Sequence, residues 1–331
     1  MSYKISNYRD DIYWIEVDNG KNIKCIFSNF GASTYSLRYY NEPMILELDD
    51  KEEFLYSNQY FNKTLGVTAG RVKNGITFLG KECSFKYLIP NTNFTLHGGD
   101  SHSISFKAWD YKVKEDETKI DVVFKIKTDE NENGIPGKLK IEVLYRVFKN
   151  SDRIKIIFKV KGLKDSLVNL SNHIYWNFFS SKDINDYYLK FKASHYGAMD
   201  KNLLVIKEAE TPSYLDFSKG KKLKDSLEYI KNNIHPNTID DTFVFDEEGK
   251  VILRNEDVTL KMKTNYKAMN IYVDSSLTDV KFKNIDWRNE RRAIALEPQE
   301  FIFDLEACTL KKDQKLKKFI DYKFVLNKEK K

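Results

Sequence analysis

The run Lys138-Leu-Lys-Ile-Glu-Val-Leu-Tyr-Arg-Val147 decides the fold class. Leu139, Ile141, Val143 and Tyr145 recur at every second position, with charged residues at two of the three positions between them. A period of two places these side chains on one face of a β-strand that is covered on one side. Similar short runs occupy residues 13–17, 23–27, 33–39, 85–89, 120–127, 154–160, 187–193, 250–254, 258–264, 269–273 and 293–296. Turn formers fall between them, as in Asp18-Asn-Gly20, Glu132-Asn-Gly134, Pro136-Gly137 and Glu248-Gly249. Helical patterns are confined to residues 51–58, 223–231 and 313–319. Many closely spaced strands with few short helices predict an all-β fold, a large antiparallel β-sandwich. No Pro/Gly/Ser-rich linker and no repeat period divides the chain, so residues 1–331 are expected to form a single domain.

Composition narrows the function classes. The hydrophobic set makes up 41% and aromatics 14%, enough for a sizeable core and too much for intrinsic disorder. The 55 basic and 49 acidic residues are interspersed until the Lys-rich end, so the net charge of +6 forms no basic stripe. A nucleic-acid partner is not expected from such a pattern. The first ten residues contain no apolar targeting core, and no apolar run reaches membrane-spanning length. A cytoplasmic protein without a membrane partner is the expectation. Cys25, Cys83 and Cys308 are odd in number and form no CxxC pair. Neither a disulfide framework nor a cysteine-rich zinc site is predicted, and no metal.

Several short stretches hold side chains suited to proton transfer or polar binding. Ser-Asn-His173-Ile-Tyr-Trp-Asn-Phe178 sets one of five histidines inside an apolar, aromatic strand. Histidine alone titrates near neutrality without perturbation. Ala293-Ile-Ala-Leu-Glu-Pro-Gln299 places Glu297 at the end of an apolar strand, where desolvation raises a carboxyl pKa and suits it to act as a base. Gly70-Arg71 and Asn74 lie in a glycine-punctuated tract that lacks the features of a phosphate loop. His97 precedes Gly98-Gly99, which permit close backbone approach to a ligand. Asp240-Asp241 stand ahead of another strand, where a carboxylate can accept bonds from sugar hydroxyls.

Taken in order, Gly70-Arg71 with Asn74, Leu-His97-Gly-Gly, Asn-His173-Ile-Tyr-Trp-Asn, Ile-Asp240-Asp and Leu-Glu297-Pro-Gln resemble the aldose 1-epimerases, or galactose mutarotases. Thr211-Pro-Ser-Tyr-Leu-Asp-Phe217 is similar to a further segment of that family. The likeness spans residues 66–299 and implies a large antiparallel β-sandwich. It also implies an isomerase that interconverts the α and β anomers of a free aldose, with no cofactor. By the same resemblance Glu297 matches the general base and His173 the general acid. His97, Arg71, Asp240 and Asn74 match sugar-binding positions. Trp176 or Tyr175 is expected to offer an apolar face for the sugar, with at least one of the two packed into the core. A monomer or homodimer with a small-molecule sugar as its partner is implied.

The chain departs from the family pattern in places. Asn74-Gly75 stands where Asn-Arg is usual, and Tyr175-Trp-Asn177 where Tyr-Phe-Asn is usual. Val205–Glu210 replaces Pro-Thr-Gly, and Phe301-Ile-Phe-Asp304 replaces the usual Pro-Asp pair. Two alternatives therefore stand beside mutarotation of a free sugar. One is a hexose-6-phosphate 1-epimerase that would use Arg288, Arg291 and Arg292 for the phosphate. The other is a non-catalytic carbohydrate-binding protein on the same fold.

Overall fold

The computed structural model describes residues 2–233, 237–275, 277, 280–283, 285 and 291–327. Its largest element is a nine-stranded antiparallel sheet. In spatial order the strands are Asp110–Glu115, Lys119–Lys127, Leu139–Phe148, Arg153–Gly162, Lys315–Leu326, Val258–Thr264, Gly249–Arg254, Tyr188–Lys190 and Lys221–Lys222. The alternation read at residues 138–147 is realised here. Leu139, Ile141, Val143, Tyr145 and Val147 are buried in the main core, whereas Lys140 is exposed and Glu142 and Arg146 are half-buried.

Two further sheets form the opposing layer. A five-stranded meander runs from Tyr3–Arg9 to Glu42–Pro43. A six-stranded sheet has the order Tyr175–Trp176, Ile294–Gln299, Ala268–Val273, Asp240–Val244, His195–Met199 and Val205–Glu210. The Leu46 N–H donates to the Tyr175 carbonyl at 3.0 Å and joins them. Aromatic contacts hold the layers together: Phe27 on Tyr145 (4.8 Å between ring centres), Tyr39 on Phe324 (5.6 Å) and Trp176 on Tyr322 (4.9 Å). The result is the antiparallel β-sandwich that the strand pattern predicts.

Two local expectations differ from the structure. Of residues 313–319, expected as a helix, 315–319 belong to the strand Lys315–Leu326. Ile320, Tyr322 and Phe324 alternate inward there, and the strand pairs on both sides. Its register within the sheet overrides the local helical spacing. Residues 85–89, expected as a strand, form none. The Phe85 and Tyr87 N–H groups donate instead to the side-chain carbonyls of Asn74 and Asn133. Among the described residues the α-helices are Lys51–Tyr56 and Leu223–Asn233, and no helix is long and apolar enough to cross a membrane.

Neighbouring positions on one strand give a direct test of the alternation. Ile141→Ala is expected to cost about 2–5 kcal/mol, because it opens a cavity in the core. Lys140→Ala is expected to change stability by no more than about 0.5 kcal/mol. Urea unfolding of both variants checks this, and equal losses would contradict the assigned faces.

Candidate active site

The six-stranded sheet turns one face to the core and carries a cavity on the other. Ile294, Leu296, Met269, Ile271, Val273 and Phe243 pack inward. Glu297, Gln299, Asn270, Tyr272, Asp240 and Thr242 line a cavity of about 200 Å3. Loops and short strands complete it: Arg71 and His97 come from the paired strands Arg71–Lys73 and Phe94–Leu96 and their edges, and His173 precedes Tyr175–Trp176. The five residues Arg71, His97, His173, Asp240 and Glu297, up to 226 positions apart in the chain, thus meet around one cavity.

His173 Nε2 and Glu297 Oε1 are 3.4 Å apart, and both side chains are buried. The His173 backbone is pinned on both sides. Its N–H donates to the Lys63 carbonyl at 2.9 Å, and its own carbonyl accepts from Asn62 N–H at 3.1 Å. Tyr175 packs beside the imidazole, 4.6 Å between ring centres. Burial pushes the His173 pKa down to about 4. Burial, with the Asp240 charge adding to it, pushes Glu297 up to about 8, against the pull of Asn270 and Arg71. Between those values the pair holds one proton. Glu297 Oε2, His173 Nδ1 and Gln299 Oε1 have no protein hydrogen-bond partner. A cavity lined by unpaired buried polar atoms suits a ligand rich in hydroxyl groups.

His97 is fixed by reciprocal bonds to one residue. Its N–H donates to the Gly70 carbonyl at 3.0 Å, and its Nδ1 accepts from Gly70 N–H at 3.1 Å. An accepting Nδ1 puts the proton of the neutral ring on Nε2, which makes Nε2 a donor. Burial, then His173 and Arg71, hold the His97 pKa well below its usual value, so the ring stays neutral. Beside it Arg71 Nη2 donates to Asp240 Oδ2 at 2.6 Å. Asn270 Nδ2 donates to Asp240 Oδ1 at 3.3 Å, and Thr242 Oγ1 donates to Asn270 Oδ1 at 3.0 Å. The chain of bonds fixes Asp240 and Arg71 as a preset acceptor and donor.

With this geometry in place, likeness to known proteins becomes informative. The family model described as aldose 1-epimerase matches residues 13–323. The chain belongs to the aldose 1-epimerase family. It is 27% identical over 168 residues to a galactose mutarotase of Bos taurus, covering 50% of this chain but only 46% of that protein. It is 22% identical over 302 residues to an aldose 1-epimerase of Haemophilus influenzae, 86% of this chain and 85% of the relative. The crystal structure of a galactose 1-epimerase from Lactobacillus acidophilus NCFM superposes with a TM-score of 0.86 at 21% identity, over 98% of each chain. At that identity the structural likeness is one of fold.

Not every residue picked from sequence reaches the cavity of this aldose 1-epimerase family member. Trp176 is fully buried and packs on Tyr322, Phe324 and Phe178. Strand alternation turns it to the core and turns its neighbour Tyr175 to the cavity. Asn74 does not line the cavity either. Its side-chain carbonyl accepts from Phe85 N–H at 2.8 Å and holds a loop. Gly98 and Gly99 serve packing rather than a ligand: a Cβ on Gly98 would lie 2.2 Å from the Gly66 carbonyl oxygen, and one on Gly99 would lie 1.8 Å from Asn133 Nδ2. Glu297 stands inside its strand, Ile294–Gln299, rather than at its end.

Other side chains in the site went unassigned in the sequence. Asn270 stands directly opposite Glu297 in the ladder, and its only local signal is a polar residue inside an apolar run. Tyr60 and Tyr272 line the cavity without any motif to mark them. Lys63 is fully buried, with its amine donating to the Leu55 carbonyl beneath the Phe30 and Phe106 rings. Among the described residues, the one cluster that could hold a divalent ion is His97, His173 and Glu297, whose donor atoms lie within 4.8 Å of one another.

The raised Glu297 pKa has a consequence for stability. The fold favours the protonated carboxyl, a contribution fully present below the unfolded value of about 4.3 and lost as pH rises through about 8. Glu297→Gln removes that loss. The urea midpoint of E297Q is expected to exceed that of the wild type at pH 9 and to approach it near pH 4.5. A gap that does not widen with pH would contradict the assigned direction.

Proposed function

We propose that the protein is an aldose 1-epimerase of free, unphosphorylated aldoses, with Glu297 as general base and His173 as general acid. The observation that carries this reading is the buried pair 3.4 Å apart, placed in a polar cavity and holding one proton near neutral pH. In the productive form that proton is on His173 and Glu297 is ionised. Glu297 takes the proton of the anomeric hydroxyl. His173 Nε2–H protonates the ring oxygen, the C1–O5 bond breaks and the aldehyde forms. Rotation about C1–C2 presents the other face of the carbonyl. On reclosure the C5 hydroxyl returns its proton to His173 while Glu297 protonates the new anomeric oxygen. Each group contributes about 10²–10⁴-fold by general catalysis. His97 Nε2–H, Arg71 and Asp240 hold ring hydroxyls, and of the two aromatics that sequence offered for the sugar's apolar face it is Tyr175, on the cavity lining, that takes the place.

The phosphorylated-sugar alternative finds less support. Arg292 Nε pairs with Asp274 at 3.0 Å, and Arg291 Nη2 donates to the Asn237 carbonyl at 2.9 Å. Neither lines the cavity, and Arg288 lies outside the described residues. Arg71, the one cationic side chain lining the cavity among the described residues, is already paired with Asp240. A purely binding role leaves unexplained why an acid and a base are buried in contact, an arrangement that costs stability.

Polarimetry on freshly dissolved α-galactose and α-glucose tests the proposal. The wild type is expected to exceed the spontaneous rate, and Glu297→Gln and His173→Asn to lower kcat at least about 100-fold. The rate is expected to form a plateau between pH of about 4 and about 8. Below it a second proton reaches the pair and the base is lost; above it the last proton leaves and the acid is lost. Full activity in E297Q would overturn the assignment of the base.

A further inference from the structure

The cavity differs chemically from one side to the other. Its volume of about 200 Å3 is below the roughly 300–1,000 Å3 of clefts that take drug-sized ligands, and matches a single sugar ring. At one side stand Glu297 and His173. Across the sheet follow the Asn270 strand, the Asp240 strand and then His195–Met199. Neighbouring strands are about 4.8 Å apart, so roughly 14 Å separates the backbone under Glu297 from that under Met199. Side chains from both fill part of that span, leaving about the breadth of one pyranose.

The far wall is hydrocarbon. It is made by Met199, Leu203, Val205 and Ile302. Val205 opens the strand Val205–Glu210, one of the stretches where the chain departs from the family's usual sequence. Gly197 helps bring the wall together. A Cβ there would lie 2.9 Å from the Val205 methyl carbons and 3.1 Å from the Phe301 ring, so the segment after Glu297 folds down onto this corner. On the lining between the two ends, Thr242 and Asn270 bond each other. With C1 at the Glu297–His173 pair and ring hydroxyls on Arg71, Asp240 and His97, the exocyclic carbon of an aldohexose is the part left to meet the hydrocarbon.

Resting on the acid–base reading above, we infer that the preferred substrates are aldoses with a methyl group or hydrogen in place of the hydroxymethyl group at C5: 6-deoxyhexoses and aldopentoses. A C6 hydroxyl on this wall loses water and gains no partner, whereas a methyl group buries apolar surface. An apolar pocket rejects an added hydroxyl only moderately, so the expected preference in kcat/KM is about ten- to a hundredfold.

Initial mutarotation rates on 6-deoxygalactose against galactose, 6-deoxyglucose against glucose, and xylose test this directly. The wild type is expected to favour each deoxy sugar over its parent by about tenfold or more. Leu203→Asn adds an amide to the wall at a position whose positive φ of 61° asparagine tolerates better than leucine. This variant, and the near-isosteric Val205→Thr, are expected to shrink the preference by raising the rates on the hydroxymethyl sugars. Parent hexoses turned over as fast as their deoxy partners by the wild type would overturn the inference. A preference unmoved in both variants would overturn the role given to the wall. If no aldose exceeded its spontaneous rate, the acid–base reading itself would fall, and this inference with it.

Discussion

The pleat of the six-stranded sheet is the constraint on which the rest of the molecule depends. In Ile294–Gln299, Ile294 and Leu296 enter the core while Glu297 and Gln299 face the cavity. In Ala268–Val273, Met269, Ile271 and Val273 go inward while Asn270 and Tyr272 face the cavity. Tyr175 and Trp176 divide in the same way. A one-residue slip would bury Glu297 among hydrocarbons and expose its apolar neighbours. The burial that stabilises the sandwich therefore also fixes which side chains reach the site.

That framework carries an electrostatic cost. Removing a carboxylate and an imidazolium from water costs several kcal/mol per ion unless each finds compensation. Here the cost is limited by leaving one proton on the pair, so that the resting site avoids two separated charges. Arg71 and Asn270 pull Glu297 toward ionisation, while burial and Asp240 push the other way. The balance leaves Glu297 at about 8, within reach of a change of charge at neutral pH. A base with a pKa near the working pH transfers protons most effectively. Backbone bonds with Lys63 and Asn62 hold the His173 main chain in place, and Tyr175 packs beside its ring. The imidazole lines the cavity beside Glu297, with Nδ1 lacking a protein hydrogen-bond partner.

Sequence made the sandwich legible because the period-two pattern is local: 33–39 and 258–264 are strands with those same ends. It failed where partners decide. Residues 313–319 look helical until the neighbouring strand Arg153–Gly162 pairs with 315–319, and 85–89 look extended until asparagine side chains take the Phe85 and Tyr87 N–H groups. For the site, ordered motifs pointed to five residues that the fold brings together. Trp176 and Tyr175 are adjacent and both aromatic, so only the sheet's facing tells which one meets the cavity. Asn270 and Tyr272 reach the site through cross-strand register, which no contiguous motif encodes.

The most direct test is a crystal structure of the protein with a bound aldose. The account places the anomeric hydroxyl within about 3 Å of a Glu297 carboxyl oxygen and the ring oxygen at a similar distance from His173 Nε2. It also places the edge of the ring remote from C1 against Leu203 and Val205. A sugar bound with its anomeric carbon at that hydrocarbon wall, away from Glu297 and His173, would contradict it.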